Sequence, residues 1–134
     1  MDCIFCNIVN GQVPSAKVYE NEHVFAFLDI SPVAEGHCLV IPKQHFDNIF
    51  DIDEAVLGHI MAAAKKIAVS LKNNLKASAV NVMHANGKEA RQEVMHFHLH
   101  IVPRVENDGI NFHHHGHQKP SFEELKEVAQ RIAL

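Results

Sequence analysis

Tryptophan is absent from this 134-residue sequence and tyrosine occurs once, so aromatic packing falls mainly to eight phenylalanines. Clustered basic charge is also missing. Twelve Lys and Arg stand against 16 Asp and Glu, and the net charge is −4 with histidine neutral. Phosphate-backbone binding needs clustered cations, so no nucleic-acid partner is expected. A small phosphate ligand is not excluded, because a few backbone N–H groups and imidazoles can hold one. No segment approaches the roughly 20 apolar residues of a membrane helix. The start, MDCIFCNIVNGQ, lacks both a cationic stretch and a long apolar one, so neither a membrane partner nor a secretory signal is expected. Cysteine is scarce: Cys3, Cys6 and Cys38 form an odd set that suits a reducing compartment better than a disulfide framework. A cytoplasmic location is the expectation.

Histidine is the residue in excess, with 12 copies. Metal binding, acid–base or nucleophilic chemistry, and an accidental surface tract are the three readings of that excess. The tract HHHGH at 113–117 is the one biased segment. Otherwise 47% hydrophobic and 21% charged residues describe an ordinary globular chain. Its length fits one domain, 1–134, with a core over about 3–105 and a C-terminal extension and helix over about 106–134.

Local patterns suggest the elements. CIFCNIVN at 3–10 reads as a short helix stopped by Gly11. Residues 17–20 and 23–29 read as strands around an Asn-Glu turn, with Phe25 and Phe27 on one face and Val24, Ala26 and Leu28 on the other. HCLVIP at 37–42 is a third strand. Asp51 is a candidate cap for a long helix to about Lys72, whose stripe is Val56, Ile60, Ala63, Ala64, Ile67 and Leu71. Residues 77–84 and 94–103 read as two more strands around a polar loop. Ser121 with Glu124 is a capping-box pattern opening a last helix, with Phe122, Leu125, Val128, Ala129 and Ile132 inward. The class is α+β: a five-stranded antiparallel meander sheet with a long central helix, a short N-terminal helix and a C-terminal helix, packed on one face.

The fifth strand carries His96-Phe97-His98-Leu99-His100-Ile101-Val102. Side chains alternate along a strand, so three imidazoles share one face roughly 6.6 Å apart. Phe97, Leu99 and Ile101 share the other face. A merely solvated face explains one such histidine far better than three. A catalytic metal site is a second reading, since His-x-His on a strand is a common zinc arrangement, but no Asp or Glu lies on the segment to complete it. The third reading is nucleophilic and proton-transfer chemistry. Separately, Cys3-x-x-Cys6 has zinc-ligand spacing, and a redox pair or two buried thiols fit it as well.

With its flanks, the segment resembles the histidine-triad family. The triad fits His-φ-His-φ-His-φ-φ, and the family's order and spacing are also found in Asp2-Cys3-Ile4-Phe5-Cys6, Phe27-Leu28-Asp29-Ile30-Ser31-Pro32, Gly36-His37-Cys38-Leu39-Val40-Ile41-Pro42-Lys43, His45 and Pro103-Arg104. The branch is similar to bacterial Hint-type nucleotide hydrolases rather than to the galactose-1-phosphate uridylyltransferases. This resemblance implies a histidine-triad fold, a homodimer, and attack on the α-phosphate of a purine nucleotide conjugate. Nucleoside phosphoramidates, acyl nucleotides and dinucleoside polyphosphates are the candidate substrates. A nucleotide-binding regulatory module with little hydrolysis is the alternative.

By the same resemblance His98 is the nucleophile, with His100 on the phosphate and leaving group and His96 completing the catalytic triad. Asp29 takes the ribose hydroxyls, with Gln92 and Asn86 on the nucleotide side. Phe5, Ile8, Phe27 and Ile30 match the purine sandwich, although core packing explains those four equally well. A structural Zn2+ is implied on Cys3, Cys6, His45 and His96, with no organic cofactor. Two departures stand out in the loop before the triad: Ala85 where relatives carry Asn, and Arg91 where they carry Gly before Gln92.

Overall fold

The computed structural model describes residues 2–112 and 119–134. The histidine tract at 113–117 lies outside the described residues. Three helices, α1 (Ile4–Val9), α2 (Glu54–Asn74) and α3 (Phe122–Ile132), accompany five strands. The strands are β1 (Lys17–Glu20), β2 (Val24–Leu28), β3 (Cys38–Pro42), β4 (Ala79–Met83) and β5 (Leu99–Arg104). All pair antiparallel into one sheet of order β1-β2-β3-β5-β4. The architecture is the expected α+β one, and the meander holds through β3. After it, α2 carries the chain over the sheet to the far edge, so β4 is outermost and β5 returns inside it.

Alternation along β2 and β3 sorts the two faces. Val24, Ala26, Leu28, Cys38 and Val40 join the larger core with Ile60, Ala63, Ala64, Ile67 and Leu71 of α2 and with Leu125, Ala129 and Ile132 of α3. Each fully buried Ile or Leu there contributes about 1.5–3 kcal/mol. Phe25, Phe27, Leu39 and Ile41 form a second core with Phe5 and Ile8 of α1. The helices therefore occupy both faces, not one: β2 and β3 are apolar on both sides, and α1 covers the second with Phe5 and Ile8.

Two helix details differ from the sequence reading. The cap of α2 is Asp53, whose carboxylate accepts from the Ala55 and Val56 amides. Asp51 instead binds the Asp47 and Asn48 amides and closes the preceding loop. The Ser121–Glu124 capping box is present, but Phe122 lies outward under the Lys126 ammonium. At N1 its ring faces solvent, one turn short of the buried stripe. Among the described residues no helix is long and apolar enough to cross a membrane.

Candidate active site and metal centre

The triad segment is only partly strand. β5 begins at Leu99, so His96 and His98 precede it. The ladder between β3 and β5 spans only Cys38–Val40 opposite Leu99–Ile101. Upstream, the Phe97 amide donates to the Phe46 carbonyl at 2.7 Å, which holds the segment against the loop after β3. Alternation survives: Phe97, Leu99 and Ile101 are in the larger core, and the three imidazoles are on the α1 side. The His98 and His100 ring centroids lie 5.1 Å apart.

His98 is only 8% exposed. Its Nδ1–H donates to the His96 carbonyl at 2.8 Å, because only a ring N–H can satisfy a carbonyl. In the neutral ring this leaves Nε2 as a bare lone pair. Burial pushes its pKa below the ordinary 6.5, opposed by the His96 carbonyl and by the charges of Asp29 and Glu93. Phe5 meets the His98 ring edge-on at 5.2 Å and the His96 ring at 5.9 Å.

His100 is set by a residue that the sequence reading left as the start of a strand. His37 Nε2 lies 2.9 Å from His100 Nδ1. The Val33 amide donates to His37 Nδ1 at 3.2 Å, so the His37 proton sits on Nε2. His37 then donates to His100 Nδ1, and the proton of His100 sits on Nε2. The two imidazoles carry opposite tautomers: a bare Nε2 on His98 and an Nε2–H on His100. Asp29 Oδ2 lies 3.6 Å from His37 Nε2, and Asp29 Oδ1 accepts the Ser31 amide. Asp29, His37 and His100 are close enough to hold a metal. The Val33 amide and the shared His37 proton give a hydrogen-bonded relay that satisfies the same groups. Leu39 pairs with His100 in the sheet, and His37 is two residues upstream on the same face. Only that register identifies it.

The implied zinc ligands converge. Ligating atoms of Cys3, Cys6, His45 and His96 lie within 4.8 Å of one another. Cys3 Sγ and Cys6 Sγ are 3.3 and 3.5 Å from His96 Nδ1, and Cys6 Sγ is 3.4 Å from His45 Nδ1. Tetrahedral zinc with its usual bond lengths has ligand–ligand edges of about 3.3–3.8 Å. The ring protons fit as well. His96 Nε2–H donates to the Pro42 carbonyl and His45 Nε2–H to the Asp47 carboxylate, both at 2.9 Å. Both Nδ1 atoms are then lone pairs, and they face each other at 3.1 Å. Two acceptors at that separation repel unless a cation sits between them. The outer hydrogen bonds are those that orient metal-bound imidazoles. Cys3 and Cys6 flank Phe5 on α1, so the same cluster fixes the ring that touches His98. Cys38 is a core residue.

The other sequence-predicted residues separate. Phe5, Ile8 and Phe27 share the second core, but Ile30 is 73% exposed and outside it. Gln92 is turned into the loop. Its Nε2 donates to the Asp47 and Val94 carbonyls, and its Oε1 accepts from the Gly87 amide and Asn48 Nδ2. Asn86 accepts the Ile49 amide and its Nδ2 lies 2.6 Å from His84 Nδ1. Both residues brace the loop. Arg91, next to Gln92, has a left-handed backbone at φ +68°. A side chain there costs about 1–2 kcal/mol, which explains why glycine suits this position. Beyond the loop a cleft of about 390 Å³ borders His100, with Arg91, Glu93, His84 and Phe112 among its walls.

Known proteins share this fold and much of this sequence. The HIT domain model matches residues 10–107. A Hit-like protein involved in cell-cycle regulation from Bartonella henselae superposes with a TM-score of 0.88 at 38% identity, covering 98% of this chain and 94% of that one. A Zn-bound histidine triad family protein from Mycobacterium smegmatis gives 0.85 at 34% identity, covering 98% and 95%. The adenosine 5'-monophosphoramidase HNT1 of Saccharomyces cerevisiae is 44% identical over 109 residues, 81% of this chain and 66% of the yeast protein. The family model spans well over half of the sequence, and the chain belongs to the HIT domain family.

Proposed function

We propose that the protein is a nucleotide hydrolase or transferase acting at the α-phosphate of nucleoside 5′-phosphoramidates or related conjugates, through a nucleotidyl-His98 intermediate. The opposite tautomers of His98 and His100 carry this reading. In the first stage the His98 Nε2 lone pair forms a bond to phosphorus, and the bond to the leaving group breaks in line with it. His100 Nε2–H hydrogen-bonds the phosphoryl oxygen or the leaving atom; a departing amine takes this proton, and the water of the second stage returns one to His100. In the second stage water attacks phosphorus, releases the nucleoside monophosphate and restores neutral His98. Fixed donors around a buried nucleophile supply the acceleration mainly through positioning and electrostatics.

Asp29, acceptor-rich and beside His37, suits the ribose hydroxyls. Phe5 and the apolar group behind it suit a purine. Similarity to the yeast phosphoramidase supports the same substrate class. Cys3, Cys6, His45 and His96 would hold zinc, which when bound supplies a structural clamp with all four positions filled. That coordination set and the zinc-bound relative support zinc over a redox role for the cysteine pair. Three free thiols support a cytoplasmic setting. A homodimer through β4 suits the sheet, because the Leu134 amide caps β1 at Val18 while β4 is an edge with Val82 42% exposed.

The test is a quench-trapping experiment with labelled adenosine 5′-phosphoramidate. The wild-type chain is expected to carry covalent label and release AMP, and His98→Ala to do neither. A wild type that binds AMP but never labels or turns over would establish the second reading, a nucleotide-binding module. The left-handed Arg91 in the altered loop favours that second reading.

A further inference from the structure

The cleft beside His100 has His37, His100 and Arg91 among its walls. Phe5 touches the triad at its His96–His98 end, whereas the cleft borders its His100 end. In-line attack drives the leaving group away from His98. With the Phe5 side taken by the base, the cleft is the space left for that group. Its wall is unusual at Arg91. The backbone there is held by the buried, fourfold-bonded Gln92 on one side and by the Arg91 amide on the Lys88 carbonyl on the other. The guanidinium itself is joined to no other described residue by a hydrogen bond or ion pair. A planar five-donor cation is thus carried at a strained, well-fixed position on the rim of the reacting centre, where strain that persists points to use.

We propose that this cleft is the leaving-group subsite and that Arg91 selects leaving groups bearing an anion, either a carboxylate or a further phosphate. The inference rests on the nucleotidyl-transfer reading and narrows its substrate class. Arg91 is a positioning and specificity residue, so its loss changes the choice among substrates.

The experiment measures kcat/KM for three adenylyl conjugates: a neutral alkylamine phosphoramidate, the phosphoramidate of β-alanine, and a diadenosine polyphosphate. Wild type, Arg91→Gly and Arg91→Lys are compared. Glycine relieves the left-handed strain, so Arg91→Gly is expected to fold and to melt no lower than wild type. The anionic-to-neutral ratio is expected to fall about tenfold in Arg91→Gly, the scale of one partly screened ion pair, and less in Arg91→Lys. A fall confined to the β-alanine conjugate identifies a carboxylate, and one confined to the polyphosphate a phosphate; either supports the proposal. Equal ratios in wild type and Arg91→Gly for both anionic substrates overturn it. A wild type that cleaves none of the three brings down the hydrolytic reading first, and this inference with it.

Discussion

His37 Nε2 stands 2.9 Å from His100 Nδ1, and the Val33 amide on the far side of the His37 ring decides which nitrogen holds the proton. Removing that bridge releases the His100 tautomer. His37→Ala is expected to lower kcat about a hundredfold, the scale of a misplaced catalytic donor, with a smaller change in KM. Nitrogen-15 spectra should place the His100 proton on Nε2 in wild type. Tautomer exchange should appear in the variant. An unchanged spectrum with reduced kcat would contradict the relay.

The nucleophile sets a pH dependence. Burial lowers the His98 pKa from 6.5, so the lone pair persists into mildly acidic solution. The acid limb of kcat/KM should therefore fall below pH 6.5. A limb at or above 6.5 would sink the assignment. Stability has the same sign. The unfolded chain binds more protons at His98 below 6.5, so this group's contribution is lost as pH falls from 6.5 through its folded value. Urea midpoints measured on descending that window should decrease.

Metal removal should loosen α1. Cys3→Ser and His45→Ala are expected to reduce bound zinc from one per chain to well below one, and to cost at least about 2 kcal/mol of stability. Chelation of wild type should produce the same drop in melting temperature. Because Phe5 sits between the two cysteines and against His98, its packing against the imidazole should also change. Ring-current shifts on His98 will report this. Full stability of both variants with no metal in wild type would exclude the clamp.

Gly36 ties the core to the relay. Its φ is +91°, and an added Cβ would lie 2.6 Å from Leu75 Cδ1 and 3.1 Å from Leu71 Cδ2. Gly36→Ala should destabilise the fold by about 2–4 kcal/mol, through left-handed strain and overpacking under α2. Urea titration checks this. A loss under about 0.5 kcal/mol would show that α2 yields there.

Sequence patterns recovered much of the architecture because the relevant forces are local. Period-two alternation sorted Phe25 and Phe27 from Val24, Ala26 and Leu28. Steps of three and four marked the buried stripe of α2, and Ser121 with Glu124 marked the start of α3. Errors arose where local signals compete. Asp51 and Asp53 are both plausible caps, and only the loop hydrogen bonds separate them. Ile30 sits beside Asp29 in an apolar stretch, yet the turn at Ser31-Pro32 leaves it in solvent.

By itself the sequence determined that three imidazoles and a Cys-x-x-Cys pair exist at spacings able to do chemistry, because alternation and helical spacing are properties of neighbouring residues. Tertiary structure alone decided how that chemistry is divided. The crossover through α2 slots β5 between β3 and β4, and that long-range register puts His37 on His100. The packing of α1 on the sheet brings Cys3 and Cys6 to His45 and His96, about 40 and 90 residues away along the chain. Contacts across such separations depend on how elements pack, which no local pattern encodes.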